Sequence, residues 1–149
     1  MIPATDTDNY RGTIFLNPGG PGGSGTGFIE RRGRDIARIV GGAYDVLSFD
    51  PRGIGYTTPL LSCFDTKAQR DIWATQAGHQ LIDANGTGLG VHHARAQLLG
   101  ERCADRLGGE EGLGRFVSTP YVARDMLEMT QKLGQEKLQY WGFVSTLLD

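Results

Sequence analysis

Cysteine, histidine and net positive charge are all scarce in this chain. Its 149 residues include two cysteines, three histidines, and 15 Lys and Arg against 17 Asp and Glu. A net charge of −2 argues against binding nucleic acid or an anionic membrane, because either needs a cationic surplus to displace counterions. No apolar run approaches the ~20 residues of a membrane span, so neither nucleic acid nor membrane is expected as a partner. Cys63 and Cys103 are too few for a disulfide framework and lack metal-site spacing, which leaves two buried free thiols or a single bridge. His79, His92 and His93 lack an accompanying Cys or carboxylate pattern and read as solvated surface residues. No metal or cofactor is therefore expected. Met1-Ile2-Pro3-Ala4-Thr5-Asp6 has neither the basic head nor the apolar stretch of a signal peptide, so the chain as written is expected in the cytosol. The sequon Asn85-Gly86-Thr87 would matter only in a secreted parent.

Glycine, in contrast, is abundant, with 23 residues, and eight of these lie between Gly12 and Gly33. Apolar residues at 39% and charged residues at 21% suffice for a globular core. The apolar run Gly12 to Asn17 reads as a buried strand entering the loop Pro18-Gly19-Gly20-Pro21-Gly22-Gly23-Ser24-Gly25. Phe28, Ile29, Arg32, Ile36, Ile39 and Val40 then recur at helical spacing until Gly41-Gly42, and Tyr44 to Phe49 forms a second strand closed by Asp50-Pro51-Arg52-Gly53. Strand, helix, strand is a βαβ unit, which implies a parallel sheet covered by helices. The middle third has one clear helical stretch, with Ala94, Leu98, Leu99, Cys103 and Leu107 on one face. Next comes a helix capped by Thr119, with Pro120 at its first position and Gly134 at its end, and then a strand from Leu138 to Phe143.

Glycine loops between a strand and a helix serve several chemistries. A phosphate-binding P-loop fails here because Thr26 stands where a Lys must be. Gly20-Pro21-Gly22-Gly23-Ser24-Gly25 does match the dinucleotide pattern G-x-G-x-x-G, with Asp50 placed to hold a ribose. Against it, Pro18 and Pro21 remove amides from a loop meant to present them, and Asp50 sits in a rigid turn that suits a structural ion pair. The third reading is an oxyanion hole, in which unobstructed backbone amides meet the charge of a tetrahedral intermediate. The Gly20 amide is the expected donor; Pro21 has none to give.

The blocks Gly12 to Gly25, Tyr44 to Gly55, Ser62-Cys63-Phe64, Phe116 to Thr119 with Val122 to Met126, and Leu138 to Phe143 together resemble the α/β-hydrolase peptidases of the proline iminopeptidase and tripeptidyl aminopeptidase type. The resemblance implies an α/β fold that is part of a larger hydrolase sheet. In it, residues 1–59 form the first part of the core, 60–118 a helical cap-like insertion, and 119–149 the resumed core up to the nucleophile elbow. Ile2 to Thr5 would be the tail of a preceding strand. It also implies a serine hydrolase that removes residues from peptide N-termini, with triad members in the order Ser, Asp, His. Gly142-Phe143 opens the G-x-S-x-G motif, but Val144 follows, Ser145 lies one place late, and Thr146 replaces the second glycine. Ser145 is thus a displaced candidate nucleophile, and no activity is expected of the chain as written. Val144-Ser145 can be encoded by GTAAGT, a common intron start, so residues 144–149 are expected to be translated intron. Asp50 and Arg52 read as scaffold. The alternatives are a noncatalytic binding protein on a partial hydrolase fold and a dinucleotide-binding domain.

Overall fold

The computed structural model describes residues 1–20, 22–76, 86–108 and 112–143. Among these the order is β1 (Gly12–Asn17), α1 (Gly25–Val40), β2 (Tyr44–Ser48), α2 (Lys67–Gln76), α3 (Gly88–Leu107), a 3-10 turn (Leu113–Phe116), α4 (Thr119–Lys132) and β3 (Gln139–Gly142). The chain divides into two compact units, Met1–Leu60 with Phe116–Asp149, and Leu61–Arg115.

The first unit is built on a parallel sheet in the order β2-β1-β3. In the central strand, consecutive side chains point to opposite faces, and Phe15 and Leu16 are both almost wholly buried. Both faces of the sheet are therefore covered, which is why β1 reads as an unbroken apolar run rather than an alternating one. On one face Leu16 and Val46 pack with Ile36 of α1, joined at the margin by Phe28, Ile29, Val40 and Trp141. Register pairs Phe15 with Tyr140, so these two share the other face, where Tyr140 lines a cleft with Val122 and Met126 of α4. Ile39, which the helical spacing placed with the apolar stripe, is instead exposed. The N-terminal segment makes one antiparallel bridge to β2, with Ile2 and Val46 exchanging both N–H···O bonds at 2.8 and 2.9 Å.

α1 begins where it does because Ser24 caps it: the Ser24 hydroxyl accepts the Gly27 N–H at 3.0 Å. Gly25, its first residue, lies directly against the end of β2, and a Cβ there would run into the Phe49 carbonyl and the Ser48 hydroxyl. α4 starts one residue earlier than its sequence suggests. Ser118, extended at φ −72° and ψ 159°, is the N-cap, which moves Thr119 and Pro120 into the first turn. Either hydroxyl residue could cap, and Pro fits any first-turn position because its missing N–H would have had no helical partner.

In the second unit, Cys63 and Cys103 form a disulfide with their Cα atoms 4.5 Å apart, so the bridge is realised and the free thiols are not. The face of α3 also differs from expectation. Ala94 and Leu98 are exposed, while Arg95, Leu99, Arg102, Cys103 and Leu107 are half-buried. The reason is that arginine does the packing. The Arg95 guanidinium lies 4.1 Å from the Trp73 ring centroid, and that of Arg102 5.0 Å from Phe64. Arg102 also donates to the Cys63 carbonyl at 2.7 Å, and Arg106 pairs with Asp65. α2 has no counterpart in the sequence reading. It buries no residue, yet Thr66 caps it, accepting the Gln69 N–H at 3.2 Å.

Candidate active-site cleft

Parallel strands deliver their C-terminal ends to one edge of the sheet, and ligand sites of open α/β sheets lie there. At that edge a cavity of about 360 Å³ opens among four groups of residues. Asn17, Gly19, Gly22 and Gly23 come from the end of β1 and the glycine loop, and Pro51, Arg52 and Ile54 from the turn after β2. Thr119, Val122, Ala123 and Met126 come from α4 with Val117 just before its cap, and Tyr140 from β3 with Leu138 just before it. The wall is mostly apolar.

The glycine loop is pinned at its start. Gly19, at φ +76° and buried, donates its N–H to the Asn17 Oδ1 at 2.8 Å, and its carbonyl accepts the Gly23 N–H at 3.0 Å. Gly20 follows at φ +133°, where a Cβ would sit 3.0 Å from the Gly23 nitrogen and 3.1 Å from that of Gly22. Only glycine meets both conditions. Gly20 is exposed and does not itself line the cavity, but its neighbours Gly19 and Gly22 do. Its N–H donates to none of the described residues.

Asp50 holds this loop to the turn after β2. One carboxylate oxygen accepts the Ser24 hydroxyl at 2.8 Å and the Thr26 amide at 2.9 Å; the other accepts the Thr26 hydroxyl at 2.8 Å and the Tyr56 amide at 2.9 Å. Burial pushes Asp50 toward its neutral form, but the amides of Thr26 and Tyr56 and the hydroxyls of Thr26 and Ser24 outweigh it and hold its pKa below the ordinary carboxylate value. The carboxylate thus occupies the positive end of α1. This arrangement is inconsistent with a dinucleotide site, since the pyrophosphate position at the helix N-terminus is filled and both carboxylate oxygens are engaged. The ion pair expected of Asp50 falls to Arg52 instead, whose Nε and Nη2 donate to the two oxygens of Asp125 at 2.6 and 2.7 Å. Both residues brace the cleft, as scaffold does.

Other candidates stand apart from this geometry. Ser145, with Val144 and Thr146, lies outside the described residues, as do Pro21 and His79. His92 and His93 belong to α3 in the second unit. Among the described residues no group of three or more His, Cys, Asp or Glu is placed to hold a metal ion, and no helix is long and apolar enough to cross a membrane. The sequence reading passed over Asn17 and Tyr140. The available signal was a lone amide side chain ending an apolar strand just before a glycine loop.

A parallel sheet flanked by helices, with a glycine loop at the tip of its central strand and a cleft over the strand ends, is a partial α/β fold. No family model matches the chain. It is similar to the tripeptidyl aminopeptidase of Streptomyces lividans, 35% identical over 144 residues, which is 95% of this chain and 25% of that protein. Serine protease Hip1 of Mycobacterium tuberculosis is 31% identical over 144 residues, 96% of this chain and 26% of its own length. Carboxylesterase B of the same organism is 33% identical over 126 residues, covering 84% and 23%. Over most of its length the chain is homologous to these hydrolases, and it spans about a quarter of the length of the relatives it matches.

Proposed function

We propose that this chain carries the oxyanion-binding, acyl-side part of a peptide hydrolase site and that, as written, it binds peptide without cleaving it. The observation that carries this reading is the Gly20 amide, unspent among the described residues and bounded by the cleft-lining glycines Gly19 and Gly22. In the intact site a serine oxygen attacks the peptide carbonyl, the carbonyl oxygen takes up the negative charge, and a fixed N–H stabilises it. Loss of one such donor typically costs about 10²–10³ in rate. The wall formed by Ile54, Val117, Val122 and Met126 suits an uncharged side chain, and Arg52 adds no net charge because Asp125 neutralises it. The names tripeptidyl aminopeptidase and serine protease among the relatives support a peptide as the ligand.

The nucleophile is where the chain departs. Val144 and Thr146 are β-branched at positions where the strained elbow needs small residues, and Ser145 is displaced by one. Treatment with a fluorophosphonate probe followed by peptide mass spectrometry tests this. No adduct is expected, nor release of product from a chromogenic tripeptide substrate. An adduct on Ser145 accompanied by turnover would overturn the noncatalytic reading.

A further inference from the structure

We propose that Asn17 is the positioning residue of the oxyanion loop, and that together with Tyr140 it decides which loop amide is left free for a ligand oxygen. This rests on the reading of the cleft given above and deepens it. Asn17 is the last residue of β1 and pairs in register with Gly142 of β3, so its backbone is held by the sheet. Its side chain has two ends with opposite chemistry. An amide N–H can only donate, so the end facing Gly19 is the carbonyl Oδ1, at 2.8 Å; the Nδ2 end is then turned to the Tyr140 hydroxyl, also at 2.8 Å. The Gly19 amide is thereby consumed, and the Gly19 carbonyl is consumed by the Gly23 N–H. The next amide along, that of Gly20, is the first in the loop left without an acceptor among the described residues.

Without the Asn17 carbonyl, the Gly19 amide would itself be free and the Pro18–Gly19 peptide would lose its tie to β1, leaving the Gly19 C=O···H–N Gly23 bond to hold the Gly19–Gly20 peptide by itself. Glycine at both positions makes rotation of that peptide cheap. The side chain therefore supplies the rigidity that the loop composition removes. Tyr140 extends the same control to β3, because its hydroxyl fixes the orientation of the Asn17 amide group.

The test is an amide NMR titration of the full chain with the tripeptide acid Ala-Ala-Ala, whose carboxylate stands in for the reacting carbonyl. In the wild type the Gly20 cross-peak is expected to shift saturably. Asn17→Ala should abolish that shift or weaken the apparent affinity by tenfold or more. Asn17→Asp, which keeps an acceptor for Gly19, should restore most of it, and Tyr140→Phe, at an exposed ring, should give an intermediate loss without unfolding. Equal Gly20 shifts in the wild type and Asn17→Ala would overturn the role of Asn17 while leaving the cleft reading intact. A wild-type Gly20 peak that does not move would overturn both. Dispersed spectra of Asn17→Asp and Tyr140→Phe keep the test valid if Asn17→Ala fails to fold.

Discussion

Thr26 gives both its amide and its hydroxyl to Asp50, one to each carboxylate oxygen, at 2.9 and 2.8 Å. The first turn of α1 is thereby locked to the turn after β2 through a single side chain. The glycine loop, which is too flexible to hold itself, is anchored at this end by that lock and at the other by Asn17.

Substitution of Asp50 tests the lock. Asn keeps one acceptor oxygen but turns an NH₂ toward either the Tyr56 amide or the Ser24 and Thr26 donors, leaving at least one buried donor facing another. Asp50→Asn is expected to lower the unfolding free energy by about 1–3 kcal/mol, and Asp50→Ala by more. Urea unfolding measures this. An unchanged midpoint with an unchanged slope would show that the lock contributes nothing.

Acid pH should reveal the same group. The folded-state pKa of Asp50 is lowered, so its contribution to stability is fully present above the unfolded carboxylate value of ~3.9 and is lost as pH falls through the folded value. Urea midpoints followed from about pH 6 to about pH 2 should therefore fall less steeply in Asp50→Asn than in the wild type. Parallel acid limbs in the two proteins would contradict this.

How much of this was legible in the sequence differs between the two units. The strands, α1 and the glycine loop were readable because apolar runs and glycine report directly on burial and turns. Thus β1 occupies Gly12–Asn17, as its composition suggests. The cap of α4 shifted by one residue because Ser118 and Thr119 offer the same chemistry. The second unit was less readable. Its packing uses the guanidinium planes of Arg95 and Arg102 against Trp73 and Phe64, and a hydrophobic pattern counts those arginines as solvent-facing. Thr66-Lys67-Ala68-Gln69 does carry a capping signal for α2. The partners of Asp50 and Arg52 were not legible, because pairing across many residues depends on topology.

The disulfide should matter locally. Among the described residues of the Leu61–Arg115 unit, Phe64 is the one buried hydrophobic side chain, so little apolar packing is present there to hold the segment. Replacing both cysteines by serine is expected to cost that unit about 2–4 kcal/mol. Hydrogen exchange should then quicken in α3 while β1 and β2, built around Leu16 and Val46, keep their protection. Equal changes in both units, or none, would count against this assignment.

Gly20 tolerates no side chain. At φ +133°, with the Gly23 nitrogen 3.0 Å from a Cβ, Gly20→Ala carries both strain and a close contact. A loss of about 1–3 kcal/mol in thermal or chemical unfolding is expected. An alanine variant as stable as the wild type would mean that the loop relaxes, and with it the amide geometry argued above.

The most direct measurement of the central claim is a map of amide shifts across the wild-type chain as Ala-Ala-Ala is added. Saturable changes are expected at Gly20 and Gly22 and along the cleft wall at Val122, Met126 and Tyr140. Changes confined to other surfaces, or none up to saturating peptide, would contradict it.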